Sequence, residues 1–190
     1  MSVFVAEELS EVLNTKVVIG RINMGLLNRI IIDDVLLDDQ SGQEMLKVTR
    51  LSAKFDIMPF FKGKISISSV QLFGFNINLR KETPDSPPNF KFVLDAFASK
   101  DTVKKENSLD LRINSILIRR GRMSYHVLSE EETPGKFNAK HIQLQNIIAN
   151  ISLKALSKDS LNLGIKRLSL DEKASGFSLK KMSLKLVANN

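Results

Sequence analysis

Apolar and polar residues alternate along most of this chain, and the alternation is interrupted where two polar residues stand together. In residues 65–72, Ile-Ser-Ile-Ser-Ser-Val-Gln-Leu, apolar residues occupy positions one, three, six and eight. Successive side chains of a β-strand point to opposite faces, so the two apolar pairs would lie on different faces of a regular strand. A β-bulge or strand break at Ser68-Ser69 would add one residue and return all four side chains to one surface.

The same arrangement returns throughout the sequence. The two central positions of each copy are GR, DD, TR, SS, NS, KH, KR or KK, and they never hold a large apolar residue. Plain alternation, the alternative explanation, would not slip at the same place in every copy. Repeats of one strand-and-bend unit indicate a quasi-linear stack of β elements. The further copies are residues 17–24, 30–37, 46–53, 111–118, 137–144, 163–170 and 177–184.

The pattern predicts a mainly β protein: an elongated, curved, largely antiparallel β-groove, half open, made of repeated strands with bulges. Residues 2–13 carry apolar residues at helical spacing and predict an N-terminal helix. Asn89 is expected to cap a second helix, which would pack on the sheet. The charged residues 101–108 are the candidate joint between residues 1–100 and 101–190. We expect these two parts to form one continuous domain.

Composition limits the functional classes. Cys is absent, which excludes disulfides and thiolate chemistry. No apolar run approaches the roughly 18–20 residues of a membrane-spanning helix, and the first residues lack the charged region and cleavage site of a signal peptide.

The net charge is +7, and much of the excess lies late in the chain. Such lysines can meet nucleic acid or anionic lipid headgroups. They can also sit on the solvent face of half-buried strands, where they discourage aggregation. Few aromatic residues are interleaved to stack bases, so we expect no nucleic-acid partner. The basic residues in this late part of the chain are Lys154, Lys158, Lys166, Arg167, Lys173, Lys180, Lys181 and Lys185.

Candidate chemistry is sparse. His126 and His141, the two histidines, stand apart in the sequence and outside any HExxH or similar ligand pair. Phosphate-binding loops, dinucleotide-binding turns and nucleophile elbows are missing. The carboxylates at 130–132 fall in a predicted turn, with no apolar pocket to raise a pKa. We therefore predict no enzymatic activity, no catalytic residue, no cofactor and no metal site.

Several segments resemble the amino-terminal part of the TamB-like envelope proteins, which are related to the AsmA-like group. They are TKVVIGRINMGLLNRIIIDDVLLDDQSGQEML, LSAKFDIMPFFKGKISISSVQLFGFNINL, the NFKFVLDAF helix, LDLRINSILIRRGRMSYHV and SLKLVANN. The resemblance implies an open β-groove lined by apolar side chains, anchored at the inner membrane and crossing the periplasm. It implies phospholipid transport between the inner and outer membranes. The alternative is a scaffold for outer-membrane protein translocation and assembly, which would offer its strand edges to those partners.

The chain departs from this family because it lacks the membrane anchor and is too short to cross an envelope. We expect it to be an amino-terminal region of a longer periplasmic parent, anchored at the inner membrane. The implied partners are phospholipid acyl chains and outer-membrane assembly proteins. The residues that the resemblance makes candidates for the groove lining are Ile65, Ile67, Val70, Leu72, Leu111, Ile113, Ile116 and Ile118.

Overall fold

The computed structural model describes residues 2–26, 28–55, 65–98, 109–110, 114–156 and 160–189. These residues form a long β-sheet with two helices. The elements are α1 (Ser2–Leu13), β1 (Val17–Gly25), β2 (Arg29–Asp38), β3 (Glu44–Phe55), β4 (Ile65–Lys81), α2 (Lys91–Ala98), β5 (Leu109–Asp110), β6 (Ser115–Val127), β7 (His141–Leu156), β8 (Ser160–Glu172) and β9 (Ser178–Asn189).

The strands form one open sheet in the order β1-β2-β3-β4-β6-β7-β8-β9, with the short β5 beside β4. Neighbouring strands are antiparallel except where β4 meets β5 and β6, which run parallel to it. The chain therefore makes an antiparallel meander, crosses over through α2, and makes a second meander. The prediction of a mainly β, largely antiparallel and unclosed fold is confirmed. Both halves of the sequence share this one sheet.

Helix α1 has the bounds that the sequence predicted, and it lies against β1. Ser10 joins the two elements, because the Val17 amide donates to Ser10 Oγ at 3.0 Å. The expected capping role of Asn89 is wrong: its side chain binds β4 instead, accepting from the Arg80 amide and donating to the Asn78 carbonyl. Neither helix of the described residues is long and apolar enough to cross a membrane.

The β-bulge predicted in β4 is present. Phe55 of β3 pairs with Ile67 and Lys54 pairs with Ser69, so Ser68 is one extra residue. Lys166 is the extra residue of β8 in its pairing with β7. In β9, three steps from Leu179 to Met182 match two in β8, which places the extra residue at the KK pair. The sequence pattern thus located three bulges.

The prediction for residues 137–144 is wrong, because this copy begins in a turn. The amide of Lys140 donates to Asn138 Oδ1 at 2.9 Å, and β7 begins at His141. Local side-chain hydrogen bonding of Asn competes here with strand pairing. The residues of this copy before His141 are therefore not part of a strand, and the KH pair does not form a bulge.

The pairs GR, DD and TR lie side by side on β1, β2 and β3, where Arg21 pairs with Asp33 and Asp33 with Arg50. The pairing register is the same on both sides of these pairs, because each of the neighbouring strands has its irregularity at the same level. The line continues through β4, β6 and β7 near Gly74, Arg120 and Asn146. We call it the seam. Left-handed backbone marks it, with positive φ at Asp34 (58°), Gly74 (64°), Arg120 (55°) and Asn146 (54°).

Candidate apolar binding face

Two rows of apolar side chains cross the eight long strands on one side of the seam. Residues that pair across neighbouring strands point to the same face of a sheet. Within each of the two rows, every pairing from β1 to β9 joins one apolar residue to another. Row 1 is Met24, Ile30, Ala53, Val70, Ile116, Ile151, Ile165 and Leu184, and row 2 is Ile22, Ile32, Leu51, Leu72, Ile118, Ala149, Leu168 and Met182.

Two further rows lie beyond the seam on β1–β4, β6 and β7. The irregular backbone at the seam shifts the alternation by one residue, so these rows lie on the same face as rows 1 and 2. Side chains from the two sides of the seam pack in common clusters, which shows that they share this face. Val48, for example, packs in one cluster with Leu51, three residues away. Row 3 is Ile19, Val35, Val48, Phe75, Gly121 and Ile147, and row 4 is Val17, Leu37, Leu46, Ile77, Met123 and Leu144.

The four rows form what we call the apolar face. Seven spacings of about 4.8 Å between strands make rows 1 and 2 about 34 Å long. The eight residues of β2 from Ile30 to Leu37 make the face about 23 Å wide at about 3.3 Å per residue. This length compares with the roughly 30 Å hydrocarbon core of a bilayer, which holds two opposed acyl chains. The face is large enough for acyl chains to lie along it.

The two helices of the described residues lie over one end of the apolar face. Ala6 of α1 and Val93 of α2 pack in the cluster that contains Val17 and Leu37. The second cluster is built around Val48, Phe75 and Ile147, and its members in the described residues all come from strands. Most of its partners are half-buried rather than buried. Across β4–β9, side chains of the described residues therefore meet one another but no covering layer.

Glycine at one position of row 3 allows close packing. A Cβ on Gly121 would lie 2.3 Å from two atoms of the Phe75 ring and 3.1 Å from Ile147 Cβ. The ring therefore occupies the space that a side chain at this position would need. This contact fills row 3 in the middle of the sheet and supports the strands from within.

Charged side chains occupy the other face at the seam. Asp33 is buried and accepts a hydrogen bond from Arg50 Nε at 2.6 Å, with Arg21 Nη2 3.9 Å away. The hydrogen bond from Arg50 lowers the pKa of Asp33 below its usual value. Arg120 lies over the Phe73 ring at 5.1 Å, an orientation that allows a cation–π contact. Charges therefore mark the face opposite the apolar rows.

The structure brings four of the predicted lining residues together. Val70 pairs with Ile116 and Leu72 with Ile118, so the two sequence copies lie side by side in rows 1 and 2. Ile65 and Ile67 belong to β4, but the structure does not describe their side chains. Leu111 and Ile113 lie outside the described residues.

Sequence reasoning missed most of the apolar face on β4, β6 and β7. It placed the slip of β4 at Ser68, whereas a second slip at Gly74 brings Phe75 and Ile77 into rows 3 and 4. The glycine itself was the available signal, because a glycine inside a strand often marks a bulge or a bend. Arg120 and Asn146 gave no comparable signal, since non-glycine residues seldom adopt positive φ.

A cleft of about 630 Å³ lies outside the apolar face, between the end of α1, the β2–β3 turn and α2. Its walls include Asp39, Arg80, Glu82 and Asp95. Arg80 Nη2 lies 2.6 Å from Asp39 Oδ2, and this carboxylate is almost fully buried. Charged walls do not suit an acyl chain, so the open rows are the better candidate for binding apolar ligands.

In comparisons with known proteins, no family model matches the chain, and no curated protein matches it significantly.

Proposed function

We propose that this protein is a non-enzymatic lipid-binding module whose apolar face shields the acyl chains of phospholipids. One observation carries the proposal: rows 1 and 2 cross the eight long strands without a polar residue. A sheet that needed only to fold could end its apolar surface beneath α1 and α2. The rows instead continue to β9, where Leu184 is 47% exposed.

The energy of binding follows from the hydrophobic effect. Each buried methylene contributes about 0.8 kcal/mol, so a chain of ten methylenes contributes several kcal/mol even when it is partly covered. The headgroups would stay in water at the open side of the face.

The resemblance to the TamB-like family gives the proposal a place in the cell. Under it, the chain forms part of a periplasmic groove, anchored to the inner membrane through its parent protein. Phospholipids would move along rows 1 and 2 between the inner and outer membranes. An open sheet supports such a path, because further strands can extend the rows at an unpaired edge.

A titration with a fluorescent phospholipid tests binding through two neighbouring residues of β9. Leu184 lies in row 1, whereas Ser183 faces the other way and donates to the Lys166 carbonyl. Both lie on the exposed strand, so Asp at either position should leave the sheet folded, which circular dichroism checks. We expect Leu184→Asp to weaken binding about tenfold, in line with the loss of one apolar side chain. Ser183→Asp should bind the phospholipid as the wild type does. Equal binding by both variants would exclude the apolar face as the lipid-binding site.

A second candidate function is a scaffold that binds outer-membrane proteins by strand addition. It is favoured by β9, which ends the strand order and carries exposed Leu186 and Val187. Lys185→Pro and Leu186→Pro test it together, since only one of two consecutive residues points its N–H toward β8. The variant that keeps the β8 pairing should lose binding to a strand peptide while retaining lipid. Unchanged peptide binding in both variants would reject the scaffold.

A further inference from the structure

The two histidines, expected to be isolated, stand next to each other. His126 near the end of β6 pairs directly with His141 at the start of β7. Their Nδ1 atoms are 3.0 Å apart. Glu132 from the intervening loop places Oε1 3.8 Å from the Nδ1 of His126 and 4.0 Å from that of His141. Topology thus joins three potential ligands that the sequence separates.

A backbone contact fixes which nitrogen of His141 carries a proton. His141 Nε2 lies 2.9 Å from the Glu130 carbonyl oxygen. A carbonyl can only accept, so Nε2–H donates and the neutral ring keeps a lone pair on Nδ1. Metal-binding histidines commonly donate their other N–H to such an outer partner. The lone pair of His141 is therefore on the atom that faces His126 and Glu132.

The spacing of the three atoms fits one ion. In a triangle with sides of 3.0, 3.8 and 4.0 Å, the point equidistant from the corners lies about 2.1 Å from each. Zinc binds imidazole nitrogen at about 2.0–2.1 Å and carboxylate oxygen at about 2.0–2.2 Å. One ion can therefore contact all three ligands without a change in the backbone.

We propose that His126, His141 and Glu132 form a Zn²⁺ site, which is independent of the proposed lipid binding. Imidazole ligands favour zinc over the hard cations Mg²⁺ and Ca²⁺. The ion can enter from solvent, because the Glu132 side chain is 64% exposed. A cavity of about 270 Å³ beside His141 and Glu132 leaves room for water to complete the coordination.

Isothermal titration of the untagged chain with ZnCl₂ tests the site. We expect one Zn²⁺ per chain in the wild type and no saturable binding of MgCl₂. His126→Ala and Glu132→Gln should each weaken zinc binding by at least about tenfold. Loss of a residue that only hydrogen-bonds to a metal ligand already costs about this much, and loss of a ligand should cost no less. Glu131→Gln, an exposed carboxylate next in sequence, is the matched control and should bind as the wild type does. Zinc binding that is absent, or that His126→Ala leaves unchanged, would overturn the proposal.

A second measurement separates zinc ligation from a simple hydrogen bond between the rings. The chain contains only these two histidines, so long-range ¹H–¹⁵N spectra resolve each ring nitrogen. Added Zn²⁺ should shift the Nδ1 resonances of both rings and leave Nε2 of His141 protonated. Spectra that do not respond to zinc would show that the two rings bind no ion.

Discussion

The two ends of the apolar face are stabilised in different ways. At the β1–β3 end, α1 and α2 cover the sheet, and Met45 and Leu37 are buried beneath them. From β4 onward, the described residues provide no such cover, and the stabilising contacts lie within the sheet. They include the Phe75 ring against Gly121 and the hydrogen bonds of buried Glu172.

The contrast shows how a sheet can remain folded with an apolar surface open to solvent. Covered side chains contribute by leaving water, whereas open rows contribute less because they stay half-exposed. Strand pairing, close packing at row 3 and polar turns must therefore hold the open part. Substitutions in the two parts should differ in size and in what they affect.

Met45→Ala should have the largest effect, because it opens a cavity at the covered end. Met45 is 4% exposed. Large-to-small substitutions at such positions cost about 2–5 kcal/mol of unfolding free energy, measurable by urea denaturation. Met24→Ala, at a position that is 76% exposed, is the matched control and should cost little. Equal losses would mean that the helices do not protect this end.

Glu172→Gln tests the polar support of the open part. Burial alone would raise the pKa of Glu172, but hydrogen bonds from Ser175 Oγ and the Ser175, Ala174 and Gln143 amides outweigh it. They lower its pKa from 4.5 to about 2.

Because the folded pKa of Glu172 is the lower one, its contribution is present above pH 4.5 and is lost as the pH falls toward 2. Glu172→Gln should lose up to about 3 kcal/mol at pH 7 and should show less acid destabilisation in that window. Denaturation curves at several pH values measure both effects. Glu7→Gln in α1 is an exposed control, and acid sensitivity that survives in Glu172→Gln would contradict this account.

Gly121→Ala should disrupt the contact within row 3. The added methyl would overlap the Phe75 ring, and overpacking of this kind costs about 1–3 kcal/mol. The smaller side chain of Phe75→Leu should restore part of the loss in the double variant, so the two changes should not be additive. Additive losses would show that the ring and Gly121 are not coupled.

Ile116→Ser should have the smallest effect on stability. Ile116 is half-buried in row 1 between Val70 and Ile151, so its removal should cost about 1 kcal/mol or less. Lipid binding should fall in the same variant, and Leu117→Ser on the opposite face should leave it intact. A loss of stability as large as that of Met45→Ala would mean that row 1 is an ordinary core.

Local patterns predicted much of this fold from the sequence. Alternation with a polar pair located the bulge at Ser68 and those in β8 and β9, because a phase slip must be absorbed wherever one face stays apolar. The bounds of α1 followed from apolar spacing. The parallel pairing of Val70 with Ile116 made neighbours of two copies that resembled each other in sequence.

Long-range placement could not be read from the same patterns. The seam requires the side-chain alternation to shift at the same level of the sheet on six strands. Which residues share a level depends on the pairing register between segments that are far apart in sequence. His126 and His141 meet only because the loop between them returns β7 beside β6. Their separation of fifteen residues resembles no ligand motif, so the candidate zinc site emerged from strand pairing alone.

Photo-crosslinking in cells tests whether phospholipid acyl chains lie on the apolar face. A benzophenone amino acid is placed at Ile116, Ile165 and Leu184 in row 1, and at Leu117, Asn150 and Ser183 on the opposite face. Mass spectrometry of the purified protein then detects attached phospholipid. We predict adducts at the row 1 positions and none at the other three. Adducts of equal yield on both faces, or none at row 1, would show that the apolar face does not bind phospholipid.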